Sequence, residues 1–191
     1  MTEVLAYQTK ATVKEKLFNL IQTKGYKQGA VTLSSGEQSN FYFDLRPLTL
    51  SPESATLIAD MMIEQLPDIP ITVGGLEAGA IPIAAAICTR YTGPNDVKGF
   101  FVRKQAKGHG KKQLIEGNFN PEIQSVIVED VASTGGSILK AAEAIRAQGG
   151  TVNTAIVIVD RQENAHETLK KAGITLISLF GQSDFMGENK A

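Results

Sequence analysis

The stretch Ser125-Val-Ile-Val-Glu-Asp-Val-Ala-Ser-Thr-Gly-Gly-Ser137 constrains the fold more than any other part of the chain. Val126-Ile127-Val128 is a short, β-branched, apolar run of the kind that fills a central parallel strand covered on both faces. Glu129 and Asp130 then set two carboxylates at the carboxyl end of that strand, the edge of an open α/β sheet at which ligands bind. Ser133, Thr134 and Ser137 offer hydroxyls, while Gly135 and Gly136 let backbone N–H groups turn towards an anion. Ile138, Ala141, Ala142 and Ile145 recur at i, i+3, i+4 and i+7. That spacing predicts a helix starting near Ser137, with its positive end pointing back into the loop. A phosphate fits there, and the acids before it are placed to accept hydrogen bonds from neighbouring hydroxyls such as those of a ribose. The loop is not a P-loop, because the lysine of G-x-x-x-x-G-K-[ST] is missing, and the chain contains no G-x-G-x-x-G.

An apolar strand, two acids and a Thr/Gly-rich turn into a helix resemble the phosphoribosyl pyrophosphate (PRPP) signature of the type I phosphoribosyltransferases. The resemblance implies that Glu129 and Asp130 hold the ribose hydroxyls and offset positive charge developing on the sugar. It also implies that Val131, Ala132, Ser133, Thr134, Gly135, Gly136 and Ser137 surround the 5′-phosphate, and that Ser133 touches the base. Mg²⁺ is the implied cofactor, held mainly by substrate oxygens, so no protein metal site is expected.

At 191 residues the chain is long enough for one α/β domain with modest additions. A formal charge of −1 and a pI near 6.1 argue against a general nucleic-acid or membrane surface. Cys88, the only cysteine, excludes an internal disulfide and a cysteine-based zinc site, and reads as core packing. Met1 to Lys14 carries no apolar signal-type run and no apolar stretch approaches 18 residues, so a soluble cytoplasmic protein is expected.

Val13, Leu17, Leu20 and Ile21 form a helical stripe that stops at Lys24-Gly25, predicting a helix over about 11–24. Residues 30–46 read as a hairpin around Ser35-Gly36, with Phe41, Phe43 and Leu45 alternating against Tyr42, Asp44 and Arg46. Thr-Leu-x-Ser-Gly followed by Ser-x-x-Tyr-Phe-Asp is similar to the N-terminal hood of orotate phosphoribosyltransferases, which implies that Tyr42 and Phe43 lie beside the base; stacking on a planar pyrimidine suits such rings. Ser34 stands where many relatives carry a PRPP-contacting lysine. Ser51 as N-cap and Pro52 at N1 open a helix that ends at Pro67. A strand at 71–74 then leads through Gly74-Gly75-Leu-Glu-Ala-Gly79 into an Ala-rich helix, and a second strand spans 98–102.

Arg103 to Lys112 holds five cations, one histidine and no acid. Composition alone describes a solvated, mobile basic loop. Its Arg-Lys-x-x-Lys-x-His-Gly spacing resembles the catalytic flap of orotate phosphoribosyltransferases, which implies that Arg103, Lys104, Lys107 and His109 neutralise departing pyrophosphate. Arg161 follows the strand 152–159, where its planar fork suits a carboxylate, or alternatively an ion pair with Asp160 or Glu163. The resemblance assigns it to the orotate carboxylate. His166 reads as surface. Strands near 71–74, 98–102, 125–129, 152–159 and 174–179 give a five-stranded parallel α/β sheet flanked by helices, with a hood over roughly 1–46 plus the C-terminal tail and a core over 51–180.

Together these motifs imply an orotate phosphoribosyltransferase: orotate and PRPP give orotidine 5′-phosphate and pyrophosphate, on a homodimer whose flaps are shared, with Lys107, His109 and Asp130 as catalytic groups. A purine phosphoribosyltransferase or a PRPP-sensing regulator would share the signature at Glu129 to Ser137. The first has no obvious use for Arg161 or the flap, and the second would lose the flap cations.

Overall fold

The computed structural model describes residues 12–32, 38–105 and 114–186. The first helix, α1 (12–20), widens into a π turn over Ile21–Gly25, one residue past the expected end. Its stripe is buried at Leu17 and Ile21, in one cluster with Phe41 and Phe43. The hairpin of β1 (Tyr26–Thr32) and β2 (Gln38–Phe43) pairs antiparallel, with Tyr26 opposite Phe43. Its expected turn at Ser35-Gly36 lies outside the described residues. The alternation holds: Phe41, Phe43 and Leu45 are buried, whereas Tyr42, Asp44 and Arg46 are not.

A short α2 (Arg46–Thr49) precedes α3 (Pro52–Ile63). Pro52 opens α3, as its fixed φ favours. Ser51 occupies the N-cap position but makes no side-chain cap bond. The Ser54 hydroxyl instead donates to the Leu48 carbonyl at 2.7 Å and ties the two helices together.

After α3 come β3 (Ile71–Gly74), α4 (Ala80–Arg90), β4 (Val97–Val102), β5 (Ile115–Gly117), β6 (Gln124–Ala132), α5 (Gly136–Ala147), β7 (Val152–Asp160), α6 (Ala165–Lys171) and β8 (Thr175–Gly181). The sheet order is β5-β4-β3-β6-β7-β8. Five strands are parallel and lie where their apolar runs predict. The expectation of five strands is nevertheless corrected to six, because β5 adds antiparallel to the edge of β4, with Val102 opposite Ile115 and Phe100 opposite Gly117. Three residues, of which only Ile115 is buried, are too few to display a strand period. This pairing makes the basic segment the connection of an antiparallel pair. Its two ends are joined by the Arg103 N–H, which donates to the Leu114 carbonyl at 2.8 Å.

Alternation along β6 divides the interior. Val126 and Val128 face α3, α4 and the hood, while Ile127 faces α5 and α6. Full burial of each such side chain contributes about 1.5–3 kcal/mol. Thr72 and Ser125, a polar pair buried between β3 and β6, are satisfied by a 2.9 Å hydroxyl–hydroxyl hydrogen bond. Cys88 packs half-buried against the first core, and burial pushes its thiol pKa up. Phe185, just past β8, stacks on Phe18 at 4.9 Å and meets Phe43 edge-on at 5.3 Å, fastening the hood to the end of the sheet. Among the described residues no helix is long and apolar enough to cross a membrane.

Candidate active site

Parallel strands present their carboxyl ends along one edge of the sheet. Register places Ala132 beside Asp160, and Asp160 beside Gly181, so the loops after β6, β7 and β8 open side by side. β6 runs to Ala132, three residues beyond the expected end, because its pairing with β7 continues through Val131 and Ala132. The acid pair therefore sits at the carboxyl end of the strand as expected, with Asp130 also inside it.

Glu129 is buried and Asp130 half-buried. Oε1 of Glu129 accepts the Asp130 N–H at 3.2 Å, and Oδ1 of Asp130 accepts the Val131 N–H at 2.8 Å. Burial, then the charge of Asp130, hold the Glu129 carboxyl well above the usual carboxylate range, with Lys104 acting weakly in the opposite sense. Both carboxylates reach Gly79 in the loop after β3: a Cβ on Gly79 would overlap Oε1 of Glu129 and lie 2.9 Å from Oδ1 of Asp130. That loop is anchored to the root of the basic segment. The Glu77 N–H donates to the Val102 carbonyl at 2.7 Å, and the Glu77 carboxylate accepts the Lys104 N–H at 2.9 Å. Among the described residues no cluster of three or more His, Cys, Asp or Glu side chains forms a metal cage. Two adjacent carboxylates suit a Mg²⁺ ion that takes its other ligands from substrate and water.

Beyond the acids, Ser133 is half-buried while Thr134 and Ser137 are exposed. Gly135 adopts φ 85°, a left-handed turn that a side chain would strain, and a Cβ there would lie 3.1 Å from Leu169 of α6. α5 begins at Gly136, one residue before the expected start, with no side-chain cap. Its first-turn N–H groups are therefore available to an anion.

The main chain of Arg161 is tied to the end of β6, where this loop begins, since its backbone N–H donates to the Ala132 carbonyl at 2.8 Å. The guanidinium is buried, with Cζ 4.8 Å from the Phe41 ring centroid and Nη2 2.7 Å from Oε1 of Glu163. The ion pair read as one alternative for Arg161 is thus present, with Glu163. His166 is exposed as expected, yet its Nε2 lies 3.2 Å from Oδ2 of the buried Asp160.

The hood rings divide differently from expectation. Phe43 is buried among Tyr26, Phe41 and Phe185, whereas Phe41 covers Arg161. Tyr42 faces the other way, its oxygen accepting from Nη2 of Arg46 at 3.3 Å, and Nε of Arg46 meets Asp44 at 2.8 Å. Asp44 chiefly, with Tyr42 and Asp130 behind it, raises the Arg46 pKa. Arg103 and Lys104 stand at the root of the basic segment; Lys107, His109 and Ser34 lie outside the described residues. Sequence reasoning gave no site role to Phe41, Arg46, Glu77 or Gly79, and named Glu163 only as a possible ion-pair partner of Arg161. For Gly79 a signal existed in the Gly-rich turn after β3, but nothing in the sequence separates Phe41 from Phe43 on the same face.

Residues 50–181 match the phosphoribosyl transferase domain. The chain is 41% identical over 184 residues to an orotate phosphoribosyltransferase of Bradyrhizobium diazoefficiens, covering 93% of this chain and 98% of the relative. It is also 41% identical over 167 residues to that of Methanocaldococcus jannaschii, covering 87% and 93%. The crystal structure of Mycobacterium tuberculosis H37Rv orotate phosphoribosyltransferase in complex with PRPP superimposes with a TM-score of 0.76 at 34% identity, covering 91% of this chain and 99% of that one.

Proposed function

The chain belongs to the phosphoribosyl transferase family, and we propose that it transfers the 5-phosphoribosyl group of PRPP to orotate, giving orotidine 5′-phosphate and pyrophosphate in pyrimidine biosynthesis. The observation that carries this reading is where Arg161 leaves the sheet: its main-chain N–H pairs with the Ala132 carbonyl at the end of β6, so a buried, planar cation for a carboxylate follows β7 beside the start of the loop that suits the 5′-phosphate. Purine bases offer no carboxylate to such a group.

The N–H groups at the start of α5, with Ser133, Thr134 and Ser137, bind the 5′-phosphate and fix the ribose over the acid pair. Asp130 and Glu129 accept from the ribose hydroxyls. As the bond from C1′ to pyrophosphate lengthens, positive charge grows on the sugar and the two carboxylates stabilise it where it develops. The raised pKa of Glu129 matters here, because the positive charge developing on the ribose, and a bound Mg²⁺, would favour its ionised form. Arg161 orients the base by its carboxylate so that the ring nitrogen lines up with C1′. Mg²⁺ beside Glu129 and Asp130 would supply charge neutralisation to pyrophosphate and ribose oxygens.

Arg103, Lys104, Lys107 and His109 close over the departing pyrophosphate in this reading. The described residues supply its root: β4 and β5 hold both ends of the basic segment, and Lys104 meets the Glu77 loop. Closure comes from a second copy in this reading, and the apolar groove between α4 and the β4–β5 pair, lined by Ile81, Ala85, Cys88 and Phe101, offers a homodimer partner a surface. In this reading the enzyme works in the cytoplasm, beside its supply of PRPP. Incubation of the protein with PRPP, Mg²⁺ and orotate, followed by product separation, tests the reading. Orotidine 5′-phosphate and pyrophosphate in equal amounts are expected, and unchanged orotate would overturn it.

A further inference from the structure

Arg161 and Glu163 are unequal partners. The arginine side chain is 7% exposed and the glutamate 39%, with 2.7 Å between Nη2 and Oε1. A buried cation stripped of its counter-charge is costly, whereas a half-exposed carboxylate returns to water at little cost. The Phe41 ring, 4.8 Å from Cζ, covers one face of the guanidinium, so an entering carboxylate has to approach in the plane where Glu163 already sits. Two carboxylates on one guanidinium in this poorly solvated corner would repel one another.

We propose that Glu163 is the resident counter-ion of Arg161: it holds the guanidinium in place while the base site is empty and is displaced by the carboxylate of the incoming base. The proposal rests on the reading of Arg161 as the carboxylate-binding residue. Local structure confines the exchange to one side chain. Oδ1 of Asp160 accepts the Gln162 N–H at 2.9 Å, and Oε1 of Gln162 accepts the Ser183 N–H at 3.1 Å, which pins the main chain before Glu163. Gln162 and Asn164 adopt left-handed φ values of 56° and 69°, and α6 starts directly afterwards at Ala165. Glu163 therefore leaves by side-chain rotation while the loop stays fixed.

Selectivity follows from the exchange. A base with a carboxylate replaces one anion by another and keeps Arg161 paired. A base without one leaves Glu163 where it is and gains nothing from Arg161. Arg161 thus supplies the discrimination against neutral bases, and Glu163, as the anion to be displaced, sets the affinity for the carboxylate base.

The test is a thermodynamic cycle read by calorimetric titration of orotate into the wild type, Glu163→Gln, Arg161→Gln and the double variant, with uracil, the same ring lacking the carboxylate, measured by its inhibition constant. Removing a half-exposed competing anion should tighten orotate binding about two- to fivefold. Uracil inhibition should not change. Arg161→Gln should lose most of the orotate affinity, and adding Glu163→Gln to it should restore none. Glu163→Ala, which also removes the charge, should shift orotate binding in the same direction as Glu163→Gln and guards against an effect particular to glutamine. If both Glu163 variants bind orotate as the wild type does or more weakly while Arg161→Gln is impaired, Glu163 is no competitor and the displacement is wrong, with the role of Arg161 intact. If Arg161→Gln binds orotate normally, the reading of Arg161 and the displacement fall together.

Discussion

Gly79 and Glu129 meet across the site so closely that no side chain fits between them: a Cβ at position 79 would overlap Oε1 of the buried carboxylate and lie 2.9 Å from Oδ1 of Asp130. A loop after one strand thereby fixes the position of two acids on the next. Gly79→Ala has to push Glu129 or the loop aside, and displacements of about 1 Å in a reacting constellation cost on the order of 100-fold in rate. We expect kcat to fall by roughly that factor while the far-ultraviolet circular dichroism stays native, since Gly79 lies outside the strands. Wild-type turnover in Gly79→Ala would show that the two carboxylates are not held by this contact.

Arg161→Ala should raise KM for orotate far more than KM for PRPP, at a cost of about 2–5 kcal/mol for the desolvated pair. Steady-state kinetics with each substrate varied in turn measure the split. An equal effect on both substrates would remove Arg161 from the base site.

Glu129 makes stability depend on pH with a definite sign. Its folded carboxyl is held well above the ordinary range by burial and by Asp130, so the folded protein binds that proton more tightly than the unfolded chain. The stabilisation from this group is complete below the unfolded carboxylate pKa and is lost as pH rises through the folded one. Glu129→Gln, which never ionises, should therefore melt higher than wild type at alkaline pH, with the gap closing as pH falls towards the ordinary carboxylate range. Thermal melts over a pH series read this directly, and a gap that is constant or widens on acidification contradicts it.

Much of this arrangement was legible in the chain because burial on both faces selects continuous β-branched runs, which locate β3, β6 and β7, and because the phosphate loop needs its glycines and hydroxyls in order. β5 escaped because Ile115-Glu-Gly117 is too short to show a period and gains its pairing only from β4. Phe41 and Phe43 share one face of β2 in sequence. Only the packing of Phe43 against Tyr26 and Phe185 leaves Phe41 to cover Arg161. Glu163 read as one of two possible acids for Arg161, and the choice between them depends on Asp160 turning to Gln162 and His166.

The basic flap offers a test across subunits. Lys107→Ala and Asp130→Ala should each nearly abolish turnover, since both lose interactions made chiefly in the transition state. If each flap serves the neighbouring site, mixing the two dead variants under subunit exchange produces hybrid dimers with one site carrying both defects and one carrying none. Activity should then recover to roughly a quarter of wild type, because random pairing makes half the dimers hybrids with one intact site each. A mixture that stays inactive, with exchange shown independently, places Lys107 in its own subunit.

The central claim is transfer to a carboxylate-bearing pyrimidine, and pyrophosphate release in the presence of PRPP and Mg²⁺ measures it for one base at a time. Orotate should drive continuous release, while hypoxanthine and uracil should leave it at the level without base. Release driven by hypoxanthine, or none with orotate, would contradict the account.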